Sequence, residues 1–268
     1  MKPNKICVIL VIFLVTFAFF DLAFSTEIRQ VFEKTYDFQP QGTLILKNTN
    51  GTVTVESWRR NEIEVRAIKK VKAGSRRDAE LFMEKVRIEI TRSRDRLRIE
   101  TDYPQKRGDW GFMSWMRGRR KPQVTIEFDI KVPEEIDLDL GTVNGAITVW
   151  EINGEVEVHT TNGRIELDNV YGSVKGNTVN GSIEAELKDL DRRDDIRLET
   201  VNGTIITYFP RNIDADFNAR AVNGSIRTDF PLKVRGKWGP KNVSGIVGRG
   251  GALINLKTVN GSIKILER

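Results

Sequence analysis

The sequence predicts an all-β protein: a β-solenoid, similar to a single-stranded β-helix, built from T-x-N-G coils of about 20 residues. Three observations predict this fold. The T-x-N-G motif recurs through the C-terminal half, the residues on both sides of it alternate between apolar and polar, and no helical period competes with that alternation. The solenoid is expected to carry an N-terminal cap that contains extra strands and one short helix.

The turn asparagines set the length of the repeat. Their successive spacings are 18, 18, 22, 21 and 37 residues, and within the long interval Ser244 of "NVSG" is expected to take the place of an asparagine. This gives seven turns in that region. Asn50-Gly51 belongs to the same series, so the repeat begins near Gly42 and is interrupted until about Glu135. The asparagines to which we assign a structural ladder are Asn144, Asn162, Asn180, Asn202, Asn223 and Asn260.

The residues around each turn predict one buried face. Isoleucine stands three residues after each of the six asparagines, and mostly apolar residues stand four and six residues before it. This period of two is typical of strands that bury one side. Two further dipeptides that favour turns, Asn153-Gly154 and Tyr171-Gly172, lie about halfway between successive Asn-Gly turns. They predict a second corner for each coil.

Two architectures fit strands joined by Asn-Gly. In a meander the dipeptide would form type I′ hairpins, and in a solenoid it would form the corner of each coil. We favour the solenoid, because only stacked corners require near-identical turns at near-constant spacing. Asparagine side chains, and the threonines two residues earlier, can then hydrogen-bond along the stack. Glycine would avoid the steric cost of a left-handed corner.

The interruption, residues 58–135, has a different pattern. It contains four alternating strands, "EIEVRAIKKV", "RIEIT", "DRLRIET" and "QVTIEFDIKVP", and one short helix, "SRRDAELFMEKV". Ser75 can cap that helix, and its expected apolar side is Ala79, Leu81, Phe82 and Val86. Because an open solenoid end exposes core and strand edge, we interpret 26–135 as the first coil with its cap. Residues 136–268 are the NG-repeat solenoid, which continues the same domain.

The first 25 residues have the features of a secretory signal. Lys2 and Lys5 precede an apolar run that ends at Phe20, and small residues follow up to Ser25, after which we expect cleavage. An uncleaved N-terminal anchor is the alternative, although Asp21 shortens the apolar run below the length that a membrane span prefers. Cys7 is the only cysteine and lies in this segment, so the mature chain is expected to contain no disulfide and no thiol chemistry.

The charge is unevenly distributed. The chain has 43 basic and 37 acidic residues, but residues 56–121 alone have 20 basic and 11 acidic residues, a net of +9. Within them a loop combines aromatic and cationic side chains, which suits a contact with an anionic membrane or wall polymer. The alternative is a hairpin tip whose aromatic rings fold back onto the sheet. The contact residues predicted are Lys106, Arg107, Trp110, Phe112, Trp115, Arg117, Arg119, Arg120 and Lys121.

Few residues suggest catalysis or metal binding. His159 is the only histidine and is expected to face outward on a strand, and there is neither a G-x-S-x-G motif nor a phosphate loop. The acidic segment Asp189–Asp195 is expected to be a charged turn between coils. We therefore predict no enzyme activity, no cofactor and no metal site.

The chain resembles the bacterial putative adhesin family of β-strand repeat proteins, also called the toast-rack domain. The resemblance rests on the N-terminal signal, the strand–NG–strand opening, the insertion closing in "IKVP" and the run of "TVNG" coils, and it covers Gly42 to Leu266. It implies an exported, envelope-associated, non-enzymatic β-rich protein. No catalytic residues are implied by it.

We therefore expect an exported adhesin-like or scaffold protein in the periplasm, at the cell surface or outside the cell. Its expected partners are anionic lipid, lipopolysaccharide, wall polymer or another envelope protein, and export argues against nucleic acid. Two alternatives remain open. One is a polysaccharide-acting enzyme that would use Asp194 and Asp195, although outward charges such as Glu184, Arg227 and Lys264 are expected to alternate in sign along the coils. The other is an envelope-stress sensor that binds a protein through a C-terminal edge strand, "SIKILE".

Overall fold

The strands of the protein form two long sheets that face each other across one hydrophobic core. The computed structural model describes residues 26–103, 122–231, 233–234 and 241–268; the predicted signal and the predicted basic aromatic loop lie outside them. The strands are β1 (Thr26–Asp37), β2 (Gly42–Lys47), β3 (Val53–Trp58), β4 (Glu62–Ala73), β5 (Arg87–Arg92), β6 (Arg96–Asp102), β7 (Gln123–Pro133), β8 (Ile136–Gly141), β9 (Ile147–Trp150), β10 (Val156–Asn162), β11 (Ile165–Tyr171), β12 (Val174–Asn180), β13 (Ile183–Asp189), β14 (Asp195–Asn202), β15 (Ile205–Phe209), β16 (Ala215–Asn223), β17 (Ile226–Thr228), β18 (Lys233–Val234), β19 (Asn242–Val247), β20 (Ala252–Asn260) and β21 (Ile263–Glu267).

Each coil places one strand in each sheet and turns between them at Asn-Gly. Sheet A has the order β1-β4-β7-β3-β9-β11-β13-β15-β21-β17, and sheet B has the order β18-β19-β16-β20-β14-β12-β10-β8-β2-β6-β5. Neighbouring coils pair in parallel and in register, with Asn162 opposite Asn180 and Asn180 opposite Asn202. The solenoid prediction is therefore confirmed, and the hairpin meander is excluded for the coils.

The order of the coils in space differs from their order in the chain. The last strand pair, β20 and β21, lies between the coil of Asn202 and the coil of Asn223. The predicted C-terminal edge strand "SIKILE" is consequently an interior strand, because β21 pairs with β15 on one side and β17 on the other. A partner that needs a free edge cannot use it.

Ser244 does not form a turn, and the prediction of an eighth T-x-N-G-like corner there is wrong. It lies in β19, which runs antiparallel to β16 and places Ser244 opposite Asn218. The reason is geometric. Because β20 already pairs with one side of β16, β19, which precedes β20 in the chain, can pair only with the other side. The described part of the repeat therefore has seven asparagine corners, six of them from Asn144 onward and the first at Asn50.

The core follows the predicted period of two. The residues three after, four before and six before each turn asparagine are buried in most coils, and the partly exposed Ile226 belongs to the short edge strand β17. The second corner also forms as predicted. Asn153 bridges to Tyr171, the N–H of Gly154 donates to the carbonyl of Tyr171 at 3.0 Å, and Gly172 adopts a φ of 111° that favours glycine.

Glycine at the main corner is required for a reason other than the predicted one. Of the seven turn glycines only Gly51, with a φ of 125°, lies in the left-handed region. At the others the constraint is contact between coils: a Cβ on Gly163 would lie 1.9 Å from the carbonyl oxygen of Gly145, and one on Gly181 would lie 1.9 Å from that of Gly163. These distances are far below any van der Waals contact, so only glycine lets successive corners stack.

The insertion and strand β1, which precedes the first coil, cap one end of the stack by extending both sheets. β7, β4 and β1 continue sheet A beyond β3, while β6 and β5 continue sheet B beyond β2. Helix α1 (Arg76–Lys85) packs on β4 and β1. Ser75 caps it by accepting from the N–H of Asp78 at 3.1 Å, as predicted.

The buried side of α1 differs from the prediction at one residue. Ala79 and Val86 are buried and Phe82 packs against the core, but Leu81 is 46% exposed and Met83 contacts the core instead. The spacing explains this result, because residues 79, 82, 83 and 86 lie on one helix face and residue 81 lies on the opposite one.

A buried lysine fixes the helix to the sheet. Lys69 of β4 donates from Nζ to the carbonyls of Met83 and Val86, at 2.8 and 2.9 Å, at the C-terminal end of α1. Burial lowers the pKa of Lys69. Carbonyls at a helix C-terminus carry partial negative charge, which offsets part of the cost of burying this ammonium group.

Substituting alanine for Gly163 tests the corner constraint. We expect a loss of about 3 kcal/mol or more in the free energy of unfolding, because the clash is with a backbone oxygen that cannot move without separating two coils. Gly74→Ala is the control, since a Cβ there meets nothing within 4 Å; its effect should stay within about 0.5 kcal/mol. Urea unfolding measures both. Equal midpoints for the two variants would contradict the constraint.

Candidate functional site at the asparagine–glycine corner

A continuous row of asparagine side chains runs along the main corner. In spatial order the row is Asn50, Asn144, Asn162, Asn180, Asn202, Asn260 and Asn223, and each Nδ2 donates to the Oδ1 of the residue before it at 2.7–2.8 Å. The backbone repeats the pattern: the N–H of Gly203, for example, donates to the carbonyl of Asn260 at 3.0 Å. The asparagines therefore hold coil to coil, and each interior side chain is both donor and acceptor.

A row of buried threonines lies behind the asparagines. Their hydroxyls donate to the glycine carbonyl of the neighbouring corner, as Thr160 does to Gly145 at 3.0 Å and Thr258 does to Gly203 at 2.9 Å. The threonines line up as predicted, but they bond to the main chain rather than to one another. At the end of the stack Ala221 stands in this position and is buried without a hydroxyl.

A row of exposed valines accompanies the asparagines on the solvent side. Val143, Val179, Val201 and Val222 precede four of the seven turn asparagines and are between 39% and 41% exposed. Thr161 stands in this position before Asn162. The corner thus presents methyl groups and amides in parallel rows at the spacing of hydrogen-bonded strands. Sequence reasoning missed this surface, although its signal was the second residue of each "TVNG".

Asn48 occupies the place of the corner threonine in the first coil and has a further role. Its buried Nδ2 donates to the carbonyl of Ile126 at 2.9 Å, at the start of β7. Its Oδ1 accepts from Thr101 at 3.2 Å and from the hydroxyl of Tyr103 at 3.4 Å, at the end of β6. Burial is also the main cause of the raised pKa of Tyr103.

Asn48 therefore ties together the two strands that border residues 104–121. All nine predicted contact residues, from Lys106 to Lys121, lie outside the described residues. Sequence reasoning missed Asn48, and the signal was its departure from the repeat, since "NTNG" stands where later coils have "TVNG", "TTNG" or "AVNG".

A cleft opens beside this anchor. Its volume is about 570 Å³, and it is lined by the corner residues Asn50, Gly51, Asn144 and Gly145 and by Pro122, Gln123, Thr125 and Glu127 at the beginning of β7. Its lining offers amides, hydroxyls, backbone groups and one carboxylate. This arrangement suits hydrogen bonding to a polar ligand. Among the described residues that line the cleft, no nucleophile is paired with a base.

The acidic segment is built as a turn, as the sequence predicts. Asp194 accepts from the N–H of Asp191 at 2.7 Å and from the hydroxyl of Ser173 at 3.5 Å. Partial burial and the nearby aspartates raise its pKa. Within the described residues no three His, Cys, Asp or Glu side chains lie close enough together to hold a metal ion.

The charges of sheet A that stand four residues after the turn asparagines do not alternate in sign along the stack, which corrects the prediction. Glu166 and Glu184 are neighbours, and Arg164 forms ion pairs with both. Lys264 and Arg227 are neighbours further along, because β21 is inserted beside β17. In this row like charges are therefore neighbours: glutamates paired with Arg164 lie in the middle of the stack, and two basic residues lie towards the end formed by β17.

His159 lies on the outward face of β10, next to Gly141 in the register, as predicted. In the part of the chain that the structure describes, no helix has the length and apolarity needed to cross a membrane.

Removing one ladder side chain tests its contribution to stability. Asn202→Ala deletes a donated and an accepted hydrogen bond, whereas Asn223→Ala at the end of the row deletes only a donated one. We expect about 1–2 kcal/mol for the first substitution and about half of that for the second, measured by chemical denaturation. A smaller effect at Asn202 than at Asn223 would contradict a cooperative ladder. Binding to the expected anionic lipid should be the same in both variants as in the wild-type protein.

Two solved structures of bacterial proteins are similar to this chain at low sequence identity. A putative cell adhesion protein from Clostridium sporogenes is 13% identical, with 89% of this chain and 100% of that chain covered and a TM-score of 0.43. A putative adhesin from Bacteroides fragilis is 10% identical over 88% and 96% of the two chains, with a TM-score of 0.33. A search of the curated proteins finds no match. The model of the Toastrack DUF4097 family matches residues 123–266, more than half of the sequence, and the chain belongs to that family.

Proposed function

We propose that this is an exported, non-enzymatic, adhesin-like protein of the bacterial cell envelope, which contacts an anionic surface through residues 106–121. The observation that supports this proposal best is that Asn48 joins the end of β6 to β7, the two strands that precede and follow residues 104–121 in the chain. The stacked coils supply the scaffold that holds these two flanking strands.

The composition of the segment supports a membrane or polyanion contact. Residues 106–121 contain six basic residues and one acidic residue, Asp109, together with the aromatic side chains of Trp110, Phe112 and Trp115. Aromatic rings enter the head-group layer of a bilayer, and cations near the surface are attracted to phosphate by about 1 kcal/mol each. We propose anionic phospholipid as the primary partner, with lipopolysaccharide and wall polymer sharing the same chemistry.

Export is supported by the first 25 residues. Lys2 and Lys5, the apolar run to Phe20 and the small residues up to Ser25 follow the order of a secretory signal. An envelope location is consistent with a chain whose single cysteine, Cys7, lies in that segment, since stacking of coils replaces disulfides as the source of stability. Recovery of the chain from fractionated cells, with its N-terminus sequenced, tests this part of the proposal.

Co-sedimentation with vesicles tests the contact. The loop variant replaces Lys106, Arg107, Arg117, Arg119, Arg120 and Lys121 by glutamine. The matched control also introduces six glutamines and so removes the same net charge. Its substitutions are at exposed arginines elsewhere: Arg59, Arg60, Arg76, Arg77, Arg87 and Arg94.

With vesicles of phosphatidylcholine and phosphatidylglycerol, we expect the loop variant to lose at least about tenfold in affinity and the control to lose less than about threefold. Vesicles of phosphatidylcholine alone should bind neither chain strongly. Unchanged binding of the loop variant, or an equal loss in both variants, would sink the proposal, because the second result would reflect net charge only.

A further inference from the structure

Strand β1 is a long edge of sheet A with one side free. Its twelve residues, Thr26–Asp37, pair antiparallel with β4 along their whole length. In the described part of the chain no strand pairs with the opposite side of β1. Such an edge offers a row of unpaired backbone donors and acceptors to any extended chain of compatible sequence.

An exposed apolar patch lies at the centre of this edge. Val31 is 56% exposed and stands opposite Ile68 of β4, so both side chains lie on the outer face of the sheet. Charged residues flank Val31 two positions away on each side, Arg29 before it and Glu33 after it. The edge is thus apolar in the middle, with opposite charges at equal distances from the centre.

We propose that β1 pairs antiparallel with β1 of a second copy of this chain, with Val31 opposite Val31 of the partner subunit. A two-fold axis at residue 31 places Arg29 opposite Glu33 of the partner subunit, and the symmetry repeats this pair on the other side. The partner is a second copy because the pattern of β1 is complementary to itself when the strand is reversed.

The neighbouring registers are less favourable. Two antiparallel edges can bond only when residues of matching hydrogen-bond orientation meet, so a symmetric pairing must centre on a residue. Centring on Gln30 places Glu27 opposite Glu33 of the partner subunit. Centring on Phe32 places Glu27 opposite Asp37 of the partner subunit. Like charges directly opposite each other destabilise a strand pair, so the register centred on Val31 is selected.

The neighbours of β1 in sheet A support this register. Joining the two copies makes a continuous outer row of four apolar residues, Ile68 and Val31 from each copy. Arg29 stands opposite Lys70 within its own chain. Lys70 forms an ion pair with Glu127, and Arg29 forms an exposed ion pair with Glu27 at 2.9 Å. Glu33 of the partner subunit would place a negative charge on the other side of Arg29.

The interface joins two strands edge to edge and is smaller than a standard protein–protein interface of about 1,600 Å². We therefore expect a reversible dimer with a dissociation constant in the range of about 1–100 μM, so the dimeric fraction should increase with protein concentration. Sedimentation velocity over about 1–300 μM covers this range.

Charge reversal with rescue tests the pairing. Arg29→Glu places like charges opposite Glu33 of the partner subunit, and Glu33→Arg does the same with Arg29 of the partner subunit, so each single variant should weaken dimerisation by about tenfold or more. The double variant Arg29→Glu/Glu33→Arg restores opposite charges and should recover the dimer. Circular dichroism confirms that each variant is folded. Monomeric wild-type protein at 300 μM, or a double variant as weak as the single ones, would overturn the proposal.

Cysteine cross-linking tests the register itself. In a Cys7→Ser background, Val31→Cys provides the only thiol whether or not the first 25 residues are removed, and it should form a disulfide-linked dimer under mild oxidation. Thr35→Cys is the control, because its two copies would lie about 27 Å apart along the paired strands. Cross-linking of Thr35→Cys as fast as Val31→Cys, or of neither variant, would exclude the register centred on Val31.

Discussion

The stacking distance at the asparagine–glycine corner is the constraint on which the rest of the structure depends. Successive corners approach so closely that a Cβ on any turn glycine from Gly145 onward would lie 1.8–2.0 Å from the carbonyl of its neighbour. This approach allows the asparagine amides to bond at 2.7–2.8 Å and brings the buried threonines within reach of the glycine carbonyls. The two strands of each coil then pair in register with the next coil, and the alternating apolar residues meet in one core.

The same constraint allows the coils to stack out of chain order. All corners have nearly the same shape, so the last coil of the chain can lie between two earlier ones without loss of contact. Asn260 is bonded to Asn202 on one side and to Asn223 on the other, as an interior member of the row. The coil of Asn223 is left at the end, where β19 covers the free side of β16. Phe209, Phe217 and Phe230 pack together there, with ring centroids 5.7–6.4 Å apart, and close that end of the core.

Structural features that recur in every coil are predicted from the sequence better than features that occur only once. The coils, the buried rows, the cap and the capped helix follow from local periodicity and turn residues, which are properties of short segments. The position of β20 could not be predicted, because identical motifs contain no information about which of them are neighbours. Ser244 was misleading for the same reason: its spacing resembles a turn, but pairing with β16 decides its structure. The role of the corner glycine could not be predicted from a single turn, because it depends on the distance between neighbouring coils and not on a left-handed backbone conformation.

The proposed functions lie where the chain departs from the repeat. Asn48 replaces a threonine and anchors the strands on both sides of residues 104–121, and β1 leaves a self-complementary edge beyond the last capping strand. Repeated positions are occupied by contacts between coils, so binding surfaces must come from the insertions, the ends and the exposed valine row. A stacked rod can accept such changes at one place without altering coils further along, since each coil contacts only its neighbours.

Through-hydrogen-bond NMR couplings test the stacking order most directly. The structure predicts a coupling between the amide nitrogen of Gly203 and the carbonyl carbon of Asn260, and another between the amide nitrogen of Gly261 and the carbonyl carbon of Asn223. A coupling from Gly203 to the carbonyl of Asn223 instead would mean that the coils stack in chain order. That result would contradict both the inserted C-terminal coil and the asparagine row described above.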